Sequence, residues 1–171
     1  MFRIPFGKYI FWIILFCIAF GWAWLYSPSR WDSSQFYFDK DAAPQITELI
    51  ESARKSILIQ MYSFTRKDFV KSLESKFAKG VDVRVIVDNN KENEPLLNAR
   101  FPVRWETSSK LFHRKLAIVD SQWIWIGSTN WTYGGTQSNS EVDLLLSSPD
   151  HAVELKRQFE KDWARMTRRQ K

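Results

Sequence analysis

The sequence predicts an α/β domain, a mixed β-sheet flanked by helices, preceded by one N-terminal transmembrane helix. Three observations carry that expectation. Tyr9 to Tyr26 (YIFWIILFCIAFGWAWLY) is a run of 18 residues without a charge. Behind it, apolar runs of strand length alternate with stretches of helical apolar spacing, the pattern of a sheet with helices on its faces. Hydrophobic residues make up 44% and charged residues 26% of the 171-residue chain, enough to bury a core and too apolar for a disordered one.

Taken in order, the uncharged run would form a helix about 27 Å long, close to the thickness of a bilayer's hydrocarbon core. Arg3 and Lys8 precede it and no acid does, which places the N-terminus in the cytoplasm and the rest outside. A cleaved signal peptide, with secretion of the remainder, is the competing reading, but Ala19-Phe20-Gly21 and Gly21-Trp22-Ala23 are its only cleavage candidates. The chain thus divides into an anchor (1–26), a linker and first strand (27–40) and the main α/β domain (41–171). Gln35–Phe38 is the first strand. Ile46, Leu49, Ile50 and Ala53 mark a helix over Ala43–Lys55, and Ser56–Tyr62 is a short apolar strand. Phe69, Val70, Leu73 and Phe77 mark a second helix, ending at Gly80 as at a C-cap glycine. Val81, Val83, Val85 and Val87 alternate as in a strand. Glu92–Arg100 reads as a short helix and Phe101–Glu106 as a strand. Leu116–Val119 and Trp123–Ile126 read as two strands joined by Asp120-Ser121-Gln122, and Val142–Leu146 as a last strand. Ala152, Leu155, Phe159, Trp163 and Met166 give the stripe of a long C-terminal helix.

Composition narrows function. One cysteine, Cys17, excludes a disulfide framework or a cysteine zinc site, and two histidines exclude a site of three imidazoles. Lys plus Arg outnumber Asp plus Glu by 25 to 19, a net charge of +6 that favours polyanionic partners.

The candidate chemistry lies between residues 113 and 141. In an extended segment residues i and i+2 share a face, so His113 and Lys115 project together with Arg114 opposite. An imidazole beside an ammonium suits a phosphate: the cation holds the oxyanion while the ring attacks phosphorus or moves a proton. Ser128 and Asn130 repeat the i, i+2 relation and offer neutral donors to phosphate oxygens, and Gly127 permits close backbone approach. Glu141 could orient His113 and stabilise its imidazolium. Asp120 reads as a turn residue. Each of these taken alone would be ordinary surface or turn chemistry.

Together, His113, Lys115, Asp120, Gly127, Ser128 and Asn130 read H-x-K-x4-D-x6-G-S-x-N, which closely resembles the HKD signature of the phospholipase D superfamily. Tyr62-Ser63-Phe64-Thr65, Lys79 to Val85, Asn130-Trp131-Thr132, and Asn139 with Glu141 also resemble its small single-motif members, the bacterial Nuc-type endonucleases and the mitochondrial cardiolipin-hydrolase-like (Zucchini) nucleases. The resemblance runs from about Phe36 to the end of the chain. It implies the phospholipase D/nuclease fold and two-step phosphodiester hydrolysis with no metal or other cofactor. In that scheme one histidine forms a phosphohistidine, and a second motif's histidine protonates the leaving oxygen and then activates water. This chain carries one motif, so the resemblance implies a homodimer whose two copies of His113 meet at a shared site. By the same resemblance Lys115 and Asn130 bind the phosphate oxygens, Ser128 assists by hydrogen bonding, Glu141 orients His113, and Asp120 and Gly127 are structural. Arg114 stands where many relatives carry a second histidine, and Glu141-Val142 where relatives often read Glu-Asn.

Three other features stay open. His151 lacks the lysine partner of a second motif and reads as a polar residue at a helix start. Lys156, Arg157, Lys161, Arg165, Arg168, Arg169 and Lys171 read as the solvated face of the last helix, or as a track for a phosphate backbone or a membrane surface. Trp131 reads as core, and Tyr133 as either core or a stacking surface for bases. The expected protein is a phosphodiesterase anchored through residues 9–26 with its catalytic domain outside the cytoplasmic membrane, a nonspecific endonuclease on single-stranded or duplex nucleic acid. A phospholipase acting on diester lipids such as cardiolipin is the alternative, and a catalytically idle nucleic-acid-binding protein a third.

Overall fold

The computed structural model describes residues 33–168, so the expected anchor at Tyr9–Tyr26 lies outside the described residues. Among the described residues no helix is long and apolar enough to cross a membrane. The elements run β1 (Ser33–Phe38), α1 (Ala42–Ser52), β2 (Ser56–Met61), α2 (Lys67–Ala78) and β3 (Asp82–Asp88). A 3-10 helix (Lys91–Asn98), β4 (Val103–Glu106), β5 (Lys115–Val119) and β6 (Trp123–Gly127) follow, then α3 (Tyr133–Gln137), β7 (Val142–Ser147) and α4 (Pro149–Arg165). One mixed sheet of seven strands has the order β1-β7-β6-β5-β2-β3-β4. β2, β3 and β4 are parallel neighbours, and every other pairing is antiparallel.

The core has two layers because the middle of the sheet is covered on both faces. On one face Ile57, Ile59, Val83, Val85, Ala117 and Trp125 pack with Ile46, Ile50, Phe69 and Leu73 of α1 and α2. On the other, Leu58, Ile86, Ile118 and Ile124 pack with Ala152 and Phe159 of α4. All six residues of β2 and all five of β5 are buried, so these strands are mostly apolar on both faces rather than alternating, with Ser56, Gln60 and Lys115 as the buried polar exceptions. Ile86, the apolar residue on the otherwise polar side of β3, contributes to the α4 layer.

The chain turns where local chemistry dictates. After α2 the Gly80 N–H donates to the Phe77 carbonyl and the Val81 N–H to the Lys76 carbonyl, with Gly80 at φ +87°. That is a Schellman motif, and it needs a residue free to adopt the left-handed region. Between β5 and β6, Asp120 and Ser121 both have φ +55°. The Asp120 carboxylate accepts from the backbone N–H groups of Arg54, Lys55 and Ser56 at 2.9, 2.7 and 2.9 Å. Burial raises this carboxyl's pKa, but those backbone donors outweigh it and hold the group below the usual range. Asp120 is therefore the clamp between the β5–β6 turn and the start of β2.

Sequence reading placed the strands and the long helices to within a few residues. It did not anticipate α3, a single short helix containing Gly134-Gly135 and capped by the Thr132 side chain, which accepts from the Gly135 N–H at 3.0 Å. Arg165 is exposed, as the solvated reading of the last helix has it, but it also bonds inward. It donates to Glu106 at 2.6 Å and to Asp162 at 3.2 Å, two carboxylates buried beneath it. Helical periodicity identifies the outward face but not what neighbouring strands raise against it.

Among the described residues, the α4 face of the sheet is uncovered at one end. Ile126 pairs with Leu116 on β5 and with Leu144 on β7, and Leu144 pairs with Phe36. Cross-strand partners share a face, so this row continues the α4 layer beyond the reach of α4. Phe36, Phe38, Ile126 and Val142 are all exposed there.

Candidate active site

The ends of β2 and β6 and the beginnings of β5 and β7 meet at one edge of the sheet, and every motif residue except Asp120 lies on the segments that leave it. His113 precedes β5 and is exposed, whereas Lys115, its first residue, is buried. Their shared face is as expected. Lys115 Nζ lies 3.0 Å from His113 Nδ1 and 3.1 Å from Nε2. Equidistance from both nitrogens means that the ammonium does not occupy the lone-pair axis of either. Tyr62 closes the other side: its ring centroid is 4.6 Å from that of His113, and Lys115 Nζ sits 5.2 Å from the Tyr62 centroid. Burial lowers the Lys115 pKa, and the nearby Glu141 charge partly restores it. The lysine is a desolvated cation whose field is little screened by water.

Asn130 is set by the same short segment. The Ser63 N–H donates to Asn130 Oδ1 at 3.2 Å, which assigns the amide oxygen to the backbone and turns its NH2 group outward as a donor. The Tyr62 N–H in turn donates to the Arg114 carbonyl at 2.9 Å, so Tyr62-Ser63 ties the His113 strand to the Asn130 loop. Asn93, fully buried, accepts from the Phe64 N–H at 2.7 Å and donates to the Tyr62 and Asp88 carbonyls at 2.7 and 2.9 Å. Sequence reasoning missed Asn90 and Asn93, since two asparagines in a short helical stretch look like loop residues. The Asn90 amide also donates to the Tyr62 carbonyl, at 3.0 Å.

Ser128 and Glu141 form a separate pair. Ser128 Oγ donates to Glu141 Oε2 and accepts from the Val142 N–H at 3.1 Å. Asn139 Nδ2 donates to Glu141 Oε1 at 3.0 Å, and the Glu141 N–H donates to Asp39 Oδ1 at 2.9 Å. Glu141 was expected to orient His113. Its carboxylate is instead committed to Ser128 and Asn139, and no hydrogen bond joins it to the His113 ring among the described residues. Its reach into the site is electrostatic, through Lys115.

Two glycines permit the close packing beneath these groups. A Cβ on Gly127 would lie 2.4 Å from the Val142 carbonyl oxygen and 2.0 Å from Asp143 Oδ1. A Cβ on Gly135 would lie 2.4 Å from the Asn130 carbonyl oxygen. Asp143, buried below Gly127, accepts from the Thr129 hydroxyl at 2.5 Å and its N–H at 3.3 Å, fixing the loop between Ser128 and Asn130. Desolvation raises the Asp143 pKa despite those bonds. Trp131 is core, edge-on to Phe64 and Phe69 at 5.1 and 5.4 Å, whereas Tyr133 is exposed. His151 stands in the first turn of α4, its Nδ1 2.8 Å from the Ser148 hydroxyl, at the opposite end of β7 from Glu141.

Residues 46–163 match the protein family described as "Cardiolipin synthase, PLD-like domain". The chain belongs to this phospholipase D-like family. A mitochondrial cardiolipin hydrolase of Xenopus tropicalis is 31% identical over 121 residues, covering 67% of this phospholipase D-like chain and 58% of the relative's length. Among solved structures, Nuc from Salmonella typhimurium, a phospholipase D family member, superposes with a TM-score of 0.76 at 25% identity, covering 82% of this chain and 99% of that one. NucT from Helicobacter pylori superposes with a TM-score of 0.71 at 23% identity, over 81% and 99%, and supports the phospholipase D-like fold.

Proposed function

We propose that this protein is a metal-independent, nonspecific endonuclease that cleaves phosphodiester bonds through a phosphohistidine. The observation that carries the reading is the buried Lys115 ammonium 3.0 Å from the His113 ring, beside an Asn130 amide held with its donors outward. In this mechanism a His113 ring nitrogen attacks phosphorus while Lys115 and the Asn130 NH2 group take up the charge on the non-bridging oxygens. The P–N bond forms as the P–O ester bond breaks, and the leaving oxygen takes a proton from a second His113. That second ring, now neutral, removes a proton from water. The water oxygen attacks phosphorus, the P–N bond breaks, and a phosphomonoester and free His113 result.

The second ring comes from another copy of the chain, so the working unit is a homodimer about a twofold axis. The uncovered apolar row Phe36, Phe38, Ile126 and Val142 supports this reading. It abuts Ser128 and Glu141 at the site's edge, and contiguous exposed apolar surface marks contact surfaces. Residues 9–26 hold the dimer at the cytoplasmic membrane with its catalytic domain outside.

Nuclease activity is favoured by the likeness to Nuc across nearly all of that chain. Phospholipase activity on cardiolipin is the second reading, supported by the mitochondrial cardiolipin hydrolase relatives. Incubation of the full-length chain with single-stranded DNA, RNA, duplex DNA and cardiolipin vesicles, with and without EDTA, separates them. Nucleic-acid cleavage that survives chelation is expected. Cleavage of the vesicles alone would establish the second reading, and binding without any turnover the idle one.

A further inference from the structure

A groove of about 780 Å³ is lined by His113 together with residues to which the mechanism above gives no role. Its walls carry three cationic side chains, Lys110, Arg114 and Arg165, and two acids, Glu106 and Asp162. The acids are sunk in the floor, each with a side chain only 4% exposed, whereas the Arg114 and Arg165 side chains are 40% and 48% exposed. Asp162 Oδ2 accepts from Arg114 Nη1 at 2.5 Å, and Gln60 Oε1 accepts from the same nitrogen at 3.0 Å. Arg165 divides its two terminal nitrogens between Glu106 and Asp162. Each guanidinium is thus pinned from below by a buried carboxylate that cannot be left unpaired, while its remaining N–H donors face the groove. The Phe112 ring, 5.1 Å from the Arg114 guanidinium, supports it further. The Lys110 side chain is exposed, with no hydrogen bond or ion pair among the described residues.

We propose that this groove binds a second phosphate of the substrate strand, next to the one that His113 attacks. Fixed guanidinium forks are the side chains best suited to a planar pair of phosphate oxygens, and here their rotamer freedom is already spent on Asp162 and Glu106. His113 and Arg114 both line the groove, so a phosphate held there would adjoin the one that His113 attacks. The groove would therefore make the enzyme prefer a polynucleotide over an isolated phosphodiester. The inference rests on the nuclease reading above.

The test compares a single-stranded oligodeoxynucleotide with bis(p-nitrophenyl) phosphate, which has one phosphate and nothing to place in the groove. Full-length wild-type protein in mild detergent is assayed beside Lys110→Ala, Arg165→Gln and the double variant. Each single variant is expected to reduce the advantage of the oligonucleotide over the small diester in kcat/KM by about three- to tenfold, through KM. The slope of log(1/KM) against log[salt] should become shallower by about 0.7 for each cation removed. Should Arg165→Gln unfold, Lys110→Ala still decides, because its side chain supports nothing in the fold. Equal losses on both substrates, or variants that match wild type on both, would overturn the subsite while leaving the nuclease intact. A wild-type protein that cleaves cardiolipin vesicles and no oligonucleotide would overturn the nuclease reading, and this subsite with it.

Discussion

The buried ammonium of Lys115 is the most consequential single group. Burial lowers its pKa from the ordinary lysine value, and Glu141 opposes that shift. Catalysis that needs the ammonium is present below its pKa and lost as pH rises through it, so the alkaline limb should fall below the usual lysine range. Removing the Glu141 charge withdraws the opposing effect. A pH–rate profile of Glu141→Gln is expected to show the alkaline limb displaced to lower pH, and an upward displacement would contradict the assignment. Asp120 governs stability rather than rate. Its carboxyl lies below the ordinary value, so its contribution is in place above the unfolded-state pKa and is lost as pH falls through the folded one. An amide offers one acceptor oxygen to three backbone donors. Asp120→Asn should therefore lose roughly 2–3 kcal/mol at neutral pH, and the difference from wild type should shrink in acid, as read by urea denaturation.

At the scale of elements, the site depends on strand ends brought together without side-chain spacers. Gly127 lies against β7 so closely that Ala would meet the Val142 backbone. Gly127→Ala is expected to cost about 1–3 kcal/mol by thermal unfolding and to lower turnover by moving Ser128 and Asn130. A variant with wild-type stability and rate would show that the strands can part freely there. Much of this level was legible in the sequence. The i, i+2 rule placed His113 beside Lys115, the C-cap preference for glycine gave the stop at Gly80, and the short apolar runs of β2 and β5 marked them as strands. The order of strands was not legible, because the pairing of β1 with β7 joins residues about a hundred apart in the chain. The partners of Glu141 were hidden for a related reason. They depend on Asp39, at φ +54° after β1, accepting from the Glu141 backbone N–H. Of the carboxylates under Arg165, Asp162 stands three residues earlier on the same helix, but Glu106 comes from β4, and no periodicity within one helix reveals it.

The whole molecule divides its sheet between two uses. The centre, β5-β2-β3, is sealed by α1 and α2 on one face and α4 on the other and provides the rigid base. Among the described residues, the β1-β7-β6 end keeps one face apolar and exposed. In the proposed mechanism a single chain with one copy of His113 would be incomplete, and a second copy docked on this face would complete it. Analytical ultracentrifugation in detergent is expected to find a dimer that Phe36→Ser with Phe38→Ser weakens about tenfold or more in dissociation constant, given the apolar area these rings would bury. An active monomer would exclude the shared site.

The chemistry itself can be seen in one measurement. A substrate carrying ³²P at the scissile phosphate, mixed with the enzyme and quenched in alkali within a turnover, should leave label bound to the protein as phosphohistidine at His113. The label should be absent from His113→Ala, which should also lack turnover. Rapid cleavage with no protein-bound phosphate, and an undiminished rate in His113→Ala, would contradict the account.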